Sequence, residues 1–109
     1  MGFEATIDRV ADRTVVRLRG EIDLATEPDL RQALEPMDPA ERVTVDLSDV
    51  AFMDSSGLKA LLDFASRSLN GDAPLTIASP SRTVLRVMEI VGMTELPQIE
   101  VEAGDGRHG

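Results

Sequence analysis

The sequence predicts a small single-domain α/β fold, a mixed β-sheet with helices packed against it. Three observations carry the prediction. Two stretches near the N-terminus alternate apolar and polar residues at the period of a strand. Beyond them, strand-like runs alternate with helix-like stripes, an order that implies right-handed parallel crossovers. Finally, the 109 residues contain no internal repeat and no linker long enough to divide them. One domain over residues 1–102 is expected, followed by a disordered tail over 103–109 that has almost no apolar content.

Phe3 to Asp8 alternates, Ala11-Asp12-Arg13 reads as a turn, and Thr14 to Arg19 alternates again, with Val16 and Leu18 inward and Arg17 and Arg19 outward. Together they predict an antiparallel hairpin. Gly20 breaks the pattern, so Gly20-Glu21-Ile22-Asp23-Leu24 is expected to form a loop leading into a helix. Thr26 is the expected N-cap, Pro28 suits the first turn, and Asp29 can help satisfy the free amides there. Leu30, Ala33, Leu34 and Met37 supply the buried stripe, and Met37-Asp38-Pro39 ends the helix because a residue before proline resists helical angles.

Val43, Val45 and Leu47 alternate within a strand from Arg42 to Ser48, followed by a Ser-Asp turn and the apolar group Val50-Ala51-Phe52. This central strand runs into Asp54-Ser55-Ser56-Gly57-Leu58. Next, Leu58, Leu61, Leu62, Ala65 and Leu69 make one continuous helical face, with Asn70-Gly71 as the stop. Pro74 to Ala78 predicts a buried strand. Ser79-Pro80 reads as an N-cap followed by proline at the first helical position. Val84, Val87, Met88 and Val91 form a second stripe closed by Gly92, and Ile99 to Val101 predicts a last strand behind Pro97.

Composition removes several classes of function. With 20 acidic against 11 basic residues, the net charge of -9 repels phosphate backbones and anionic lipid surfaces. No direct nucleic-acid or membrane partner is therefore expected. Trp and Tyr are absent, which leaves little for stacking on bases. Without Cys there is no disulfide, thiolate metal site or thiol nucleophile. No apolar run approaches the length of a membrane span, and a cytoplasmic location is expected.

Catalysis is equally unsupported. A serine hydrolase needs a base beside its nucleophile, and the only histidine is His108, in the tail. No Gly-x-Ser-x-Gly turn and no phosphate-binding P-loop is present. Asp46, Asp49 and Asp54 lack the spacing of a calcium loop. The chain is expected to be no enzyme and to need no cofactor.

Asp54-Ser55-Ser56-Gly57 nevertheless has a physical logic. If the helix begins at Gly57 or Leu58, either Ser55 or Ser56 is the N-cap. Gly57 removes a side chain beside Ser56, so another protein could approach the backbone closely. A phosphate placed here would bring about -1.5 to -2 charges to a helix N-terminus whose free amides and dipole accommodate an anion. The fold should carry such a modification. A partner packed on the same surface would have to desolvate it.

Gly20-Glu21-Ile22-Asp23-Leu24-Ala25-Thr26, Val45-Asp46-Leu47-Ser48 and Phe52-Met53-Asp54-Ser55-Ser56-Gly57-Leu58 together resemble the STAS-domain anti-sigma factor antagonists, over nearly the whole chain from Phe3 to Val101. The resemblance implies a bacterial regulator that binds an anti-sigma factor and so frees a sigma factor. In that family the anti-sigma factor is also a serine kinase, which binds the ATP itself. It phosphorylates the antagonist, and a PP2C-type phosphatase reverses the mark. Carried over by position, Ser56 is the phosphoacceptor and Ser55 the alternative. Glu21, Asp23, Thr26, Met53, Asp54, Ser55 and Gly57 fall on the implied partner surface, Met53 either as an exposed contact or as a buried support. The free protein is expected to be monomeric. Lys59 departs from the family, where a small residue is common, and is expected to reach a phosphate on Ser56. The rival implication is an unphosphorylated STAS module serving as a subunit of a transporter or lipid-export complex.

Overall fold

The hairpin opens the sheet: β1 covers Glu4–Val10 and β2 covers Arg13–Ile22, antiparallel in an unbroken register from Glu4 opposite Arg19 to Val10 opposite Arg13. In this computed structural model, which describes residues 2–38, 41–67 and 74–102, the remaining strands are β3 (Arg42–Met53), β4 (Leu75–Ala78) and β5 (Ile99–Glu102). The sheet order follows the chain, β1-β2-β3-β4-β5, and every pairing after the first is parallel. Sequential parallel strands joined by right-handed crossovers put all their helices on one face. Those helices are α1 (Glu27–Leu34), α2 (Ser55–Ser66) and α3 (Arg82–Ile90).

The core fills the space between helices and sheet. Val16, Leu18, Val45, Leu47 and Ile77 from the strands meet Leu30, Leu34, Leu58, Leu61, Phe64, Val84 and Met88 from the helices. Ala60 and Phe64 join the α2 face although the leucine stripe alone does not reveal them, while Leu62 is only half-buried. The opposite sheet face is polar. There Arg17 bridges Asp8 and Asp46, Arg19 faces Glu4 at 3.7 Å, and Arg13 Nη1 donates to Thr44 Oγ1 at 3.1 Å.

Several sequence expectations change. Gly20 does not end β2: it takes φ +106° and the strand continues to a fully buried Ile22, so the loop begins only at Asp23. A side chain at Gly20 would meet the Gly2 carbonyl oxygen at 2.3 Å, which is why the position needs glycine for space as well as for φ. The Ser48-Asp49 turn is absent. β3 instead carries one extra residue between the partners of Arg17 and Arg19, and a second between the partners of Gly20 and Glu21. These bulges change the inward spacing from two residues (Val43, Val45, Leu47) to three (Leu47, Val50, Met53). Asp46 Oδ1 secures the first by accepting from the Ser48 amide at 2.9 Å.

The N-cap of α3 is Ser81, whose hydroxyl accepts from the Val84 amide at 3.1 Å, and not Ser79. Ser79 is still tied to the sheet, its amide donating to the Glu102 carbonyl at 2.8 Å with φ +54°. Val91 lies outside the core at 52% exposure, because Gly92 reverses the chain and a 3-10 turn over Met93–Glu95 buries Met93 in its place. α1 ends at Leu34, earlier than the Met37-Asp38-Pro39 stop, although Met37 is buried as expected. The Asn70-Gly71 stop, Leu69 and the 103–109 tail lie outside the described residues.

Candidate functional site

β2 and β3 are neighbouring parallel strands, so the loops at their C-terminal ends emerge side by side. Open α/β sheets place their binding sites at this edge. Ile22 pairs with Met53, and the Asp54 amide donates to the Ile22 carbonyl at 3.0 Å. That bond locks the Asp23–Thr26 loop against the start of α2.

Each loop is fixed by one carboxylate. Asp23 Oδ1 accepts from the amides of Ala25 and Thr26 at 3.0 and 3.1 Å, and its carbonyl accepts from Glu27 N–H at 2.8 Å. The Thr26 hydroxyl accepts from the Asp23 amide at 2.9 Å and donates to the Glu21 carbonyl at 3.0 Å. Thr26 is thus the α1 N-cap by position, while its side chain closes the loop behind it. On the other side, Asp54 is the N-cap of α2: its backbone is extended and its Oδ1 accepts from the Ser56 amide at 2.8 Å. The helix starts at Ser55, two to three residues earlier than the sequence suggests, and neither serine is the cap. Both serine hydroxyls remain without a hydrogen bond among the described residues; Ser55 is exposed and Ser56 half-buried on the first turn.

Met53 and Gly57 lie beneath this surface. Met53 is only 3% exposed, so it acts as a buried support and not as an exposed contact. A Cβ on Gly57 would stand 2.5 Å from Ile22 Cγ2 and 2.7 Å from Met53 Cγ. The missing side chain therefore lets α2 sit down on the strand ends; its space is taken from inside the molecule, and it opens no approach for a partner. Lys59 points its ammonium to Asp63 at 3.5 Å, one turn further along α2. Asp63 also receives Arg31 Nη1 at 2.9 Å, and Arg31 pairs with Glu27, which fastens α1 to α2. The hydrogen bond from the Arg31 guanidinium holds the Asp63 carboxyl below the usual carboxylate range, with Lys59 adding to the effect.

The surface is acidic with apolar points. Glu21, Asp23, Asp49 and Asp54 take part in no ion pair among the described residues. Leu24 is 72% and Phe52 45% exposed. An open groove of about 510 Å³ is lined by Gly2, Gly20, Glu21, Asp23, Ala25, Thr26, Asp49 and Ala51. Sequence reasoning passed over Asp49, Phe52 and Leu24 as site residues. Leu24 carried a signal, an apolar side chain in a polar loop; Asp49 carried none, because the bulge that brings it opposite Arg19 is invisible in the pattern. Among the described residues no cluster of potential ligands could hold a metal ion, and no helix is long and apolar enough to cross a membrane.

Comparison with known proteins agrees with this fold. The family described as "Mlab, STAS domain" matches residues 5–99. The anti-sigma-B factor antagonist of Staphylococcus aureus (strain NCTC 8325 / PS 47) is 33% identical over 86 residues, covering 77% of this chain and 80% of that protein. The anti-sigma factor antagonist SpoIIAA, solved in its unphosphorylated form, superposes with a TM-score of 0.62 at 20% identity over 96% of this chain and 94% of its own. The murine Solute Carrier 26 family member A9 anion transporter contains a segment of the same fold, with a TM-score of 0.68 at 20% identity, covering 93% of this chain and 18% of the transporter.

Proposed function

The chain belongs to the STAS-domain family, and from that premise we propose that it is an anti-sigma factor antagonist switched by phosphorylation of Ser56. It is a regulatory binding protein in this reading, not an enzyme. Its partners are an anti-sigma factor serine kinase, which brings the ATP, and a PP2C-type phosphatase. The observation that carries the reading is the division of labour at the start of α2. Asp54 takes the capping role, so the Ser56 hydroxyl is left uncommitted on the first helical turn, beside the loop fixed by Asp23.

Phosphate on Ser56 would meet the positive end of the α2 dipole, an interaction of roughly 0.3–1 kcal/mol, which favours survival of the fold. It would also add charge to an end of the molecule where Glu21, Asp23, Asp49 and Asp54 take part in no ion pair among the described residues. A kinase docked over Leu24, Phe52 and this acidic rim would have to desolvate that charge. A cost of about 3–4 kcal/mol weakens binding more than a hundredfold, enough for a switch. Lys59 contributes less than its sequence position suggests, since it already serves Asp63.

Incubation with the cognate anti-sigma kinase and ATP, read by peptide mass spectrometry, tests the assignment. One phosphate on Ser56, lost in Ser56→Ala, is expected; a phosphate on Ser55 would move the acceptor by one residue. An unmodified wild type would overturn the proposal. It would favour instead a STAS module held as a subunit of a transporter or lipid-export complex; the Solute Carrier 26 neighbour is a transporter that contains a segment of this fold.

A further inference from the structure

The two margins of the sheet differ. β5 is a four-residue edge that carries two outward glutamates, Glu100 and Glu102. Short, charged strands are a usual way to blunt an edge against pairing. β1 is a seven-residue edge with no proline, glycine or bulge, and its register to β2 is unbroken. The helix layer does not reach it, so every β1 side chain except Asp8 is exposed.

Ile7 shows what this edge lacks. Successive registers place Ile7 beside Val16, Val16 beside Val45, Val45 beside Ile77 and Ile77 beside Val101, one apolar row across all five strands. Val16, Val45 and Ile77 are fully buried, whereas Ile7 at the end of the row is 45% exposed.

We propose that β1 pairs with β1 of a second copy, antiparallel about a two-fold axis at Ile7. Continuity of the apolar face requires directly opposed residues to share a face, which leaves few registers. Centred on Ile7, Ile7 meets its own copy, Thr6 meets Asp8, Ala5 meets Arg9 and Glu4 meets Val10; no like charges stand directly opposite. A centre at Thr6 would set Glu4 against Asp8, and one at Asp8 would set that carboxylate against itself. Only the Ile7 register sets the end of the apolar row against itself, Ile7 on Ile7.

The net charge of -9 does not oppose this arrangement strongly. β1 carries Arg9 as well as Glu4 and Asp8, and Arg19 and Arg17 lie beside those two carboxylates. Because the pairing is antiparallel, the acidic ends around Asp23 and Asp54 point in opposite directions, roughly 40 Å or more apart at a strand rise of about 3.3 Å per residue. That distance is several Debye lengths of about 8 Å. Both candidate phosphorylation sites stay open. The dimer replaces the monomer expected from the sequence.

Sedimentation equilibrium across a concentration series is the first measurement. The apparent mass should rise from 11.8 kDa toward twice that value. Ile7→Lys, which places two ammonium groups at the axis, should raise the midpoint concentration about tenfold or more. The chain has no cysteine, so single cysteines report the register. Oxidised Ile7→Cys should give a covalent dimer, its Cβ atoms about 5 Å apart, whereas Val10→Cys lies roughly 20 Å from its counterpart and should not. Both sites are exposed, and unchanged far-UV circular dichroism would confirm folding. A monomeric mass up to about 1 mM protein, a dimer indifferent to Ile7→Lys, or equal cross-linking of both cysteine variants would overturn the pairing.

Discussion

α2 and α3 both follow a strand of the parallel sheet, and both begin among serines. Their serines do opposite work. At α3, Ser81 spends its hydroxyl on the Val84 amide, while Ser79 and Pro80 carry the chain from the strand to that cap. At α2, Asp54 has taken the cap, and Ser55 and Ser56 keep their hydroxyls while sharing the first turn. A serine at a helix start is therefore structural or available according to who stands before it. With Asp54 as the cap, the Ser56 hydroxyl is not needed to close the helix start, which suits the proposed modification.

The contrast can be broken from either side. The largest expected effect is on binding: Ser56→Asp should weaken the complex with the anti-sigma kinase by about a hundredfold in isothermal titration, given the desolvation of a new charge at the interface. Unchanged affinity would mean that the two serine sites differ less than proposed. Next comes the floor of the site. Gly57→Ala adds a Cβ against Ile22 and Met53, and overpacking of about 1–3 kcal/mol should outweigh the helix-propensity gain of up to about 1 kcal/mol. A net fall in melting temperature is expected.

A smaller effect separates the two helix starts directly. Ser81→Ala should cost about 1 kcal/mol, or roughly 4–8 °C in melting temperature. Ser56→Ala should be nearly neutral, within about 0.5 kcal/mol, and equal losses would contradict the division of labour. The smallest effect is on pH. The folded-state pKa of Asp63 is depressed by Arg31, so its ion pair stabilises the protein above the ordinary carboxylate pKa of about 4 and is lost as pH falls through the depressed value. Asp63→Asn should therefore reduce the acid-induced drop in melting temperature, by about 2 °C for an exposed pair. A drop identical to wild type would remove this pair from the α1–α2 contact.

Much of the fold was legible because burial stripes are written in spacing. Leu30 and Leu34, Leu58 and Leu61, and Val84 and Met88 all sit where the helical period places them. Other features depend on partners distant in sequence. Asp, Ser and Thr cap helices almost equally well, so Asp54-Ser55-Ser56 offers three caps, and the bond from Asp54 N–H to Ile22 selects the first. Ser79 looks like a cap until β5 claims its amide. Gly20 reads as a breaker because the pattern cannot show Gly2 lying across it. The Asp54-Ser55-Ser56-Gly57 motif was visible as a motif, yet whether Met53 faced solvent was set by the bulges in β3.

Those bulges give the site a dependence on counting. Each extra residue turns the rest of β3 by half a pleat, and two of them bring Met53 back under the helices. Removing one residue from the stretch Ser48 to Phe52 would leave every side chain of the motif present while sending Asp54, Ser55 and Ser56 out over the polar side of the sheet. An alignment would score such a deletion as one small gap. For the protein it would be an inversion, with the proposed acceptor serine delivered to the wrong face.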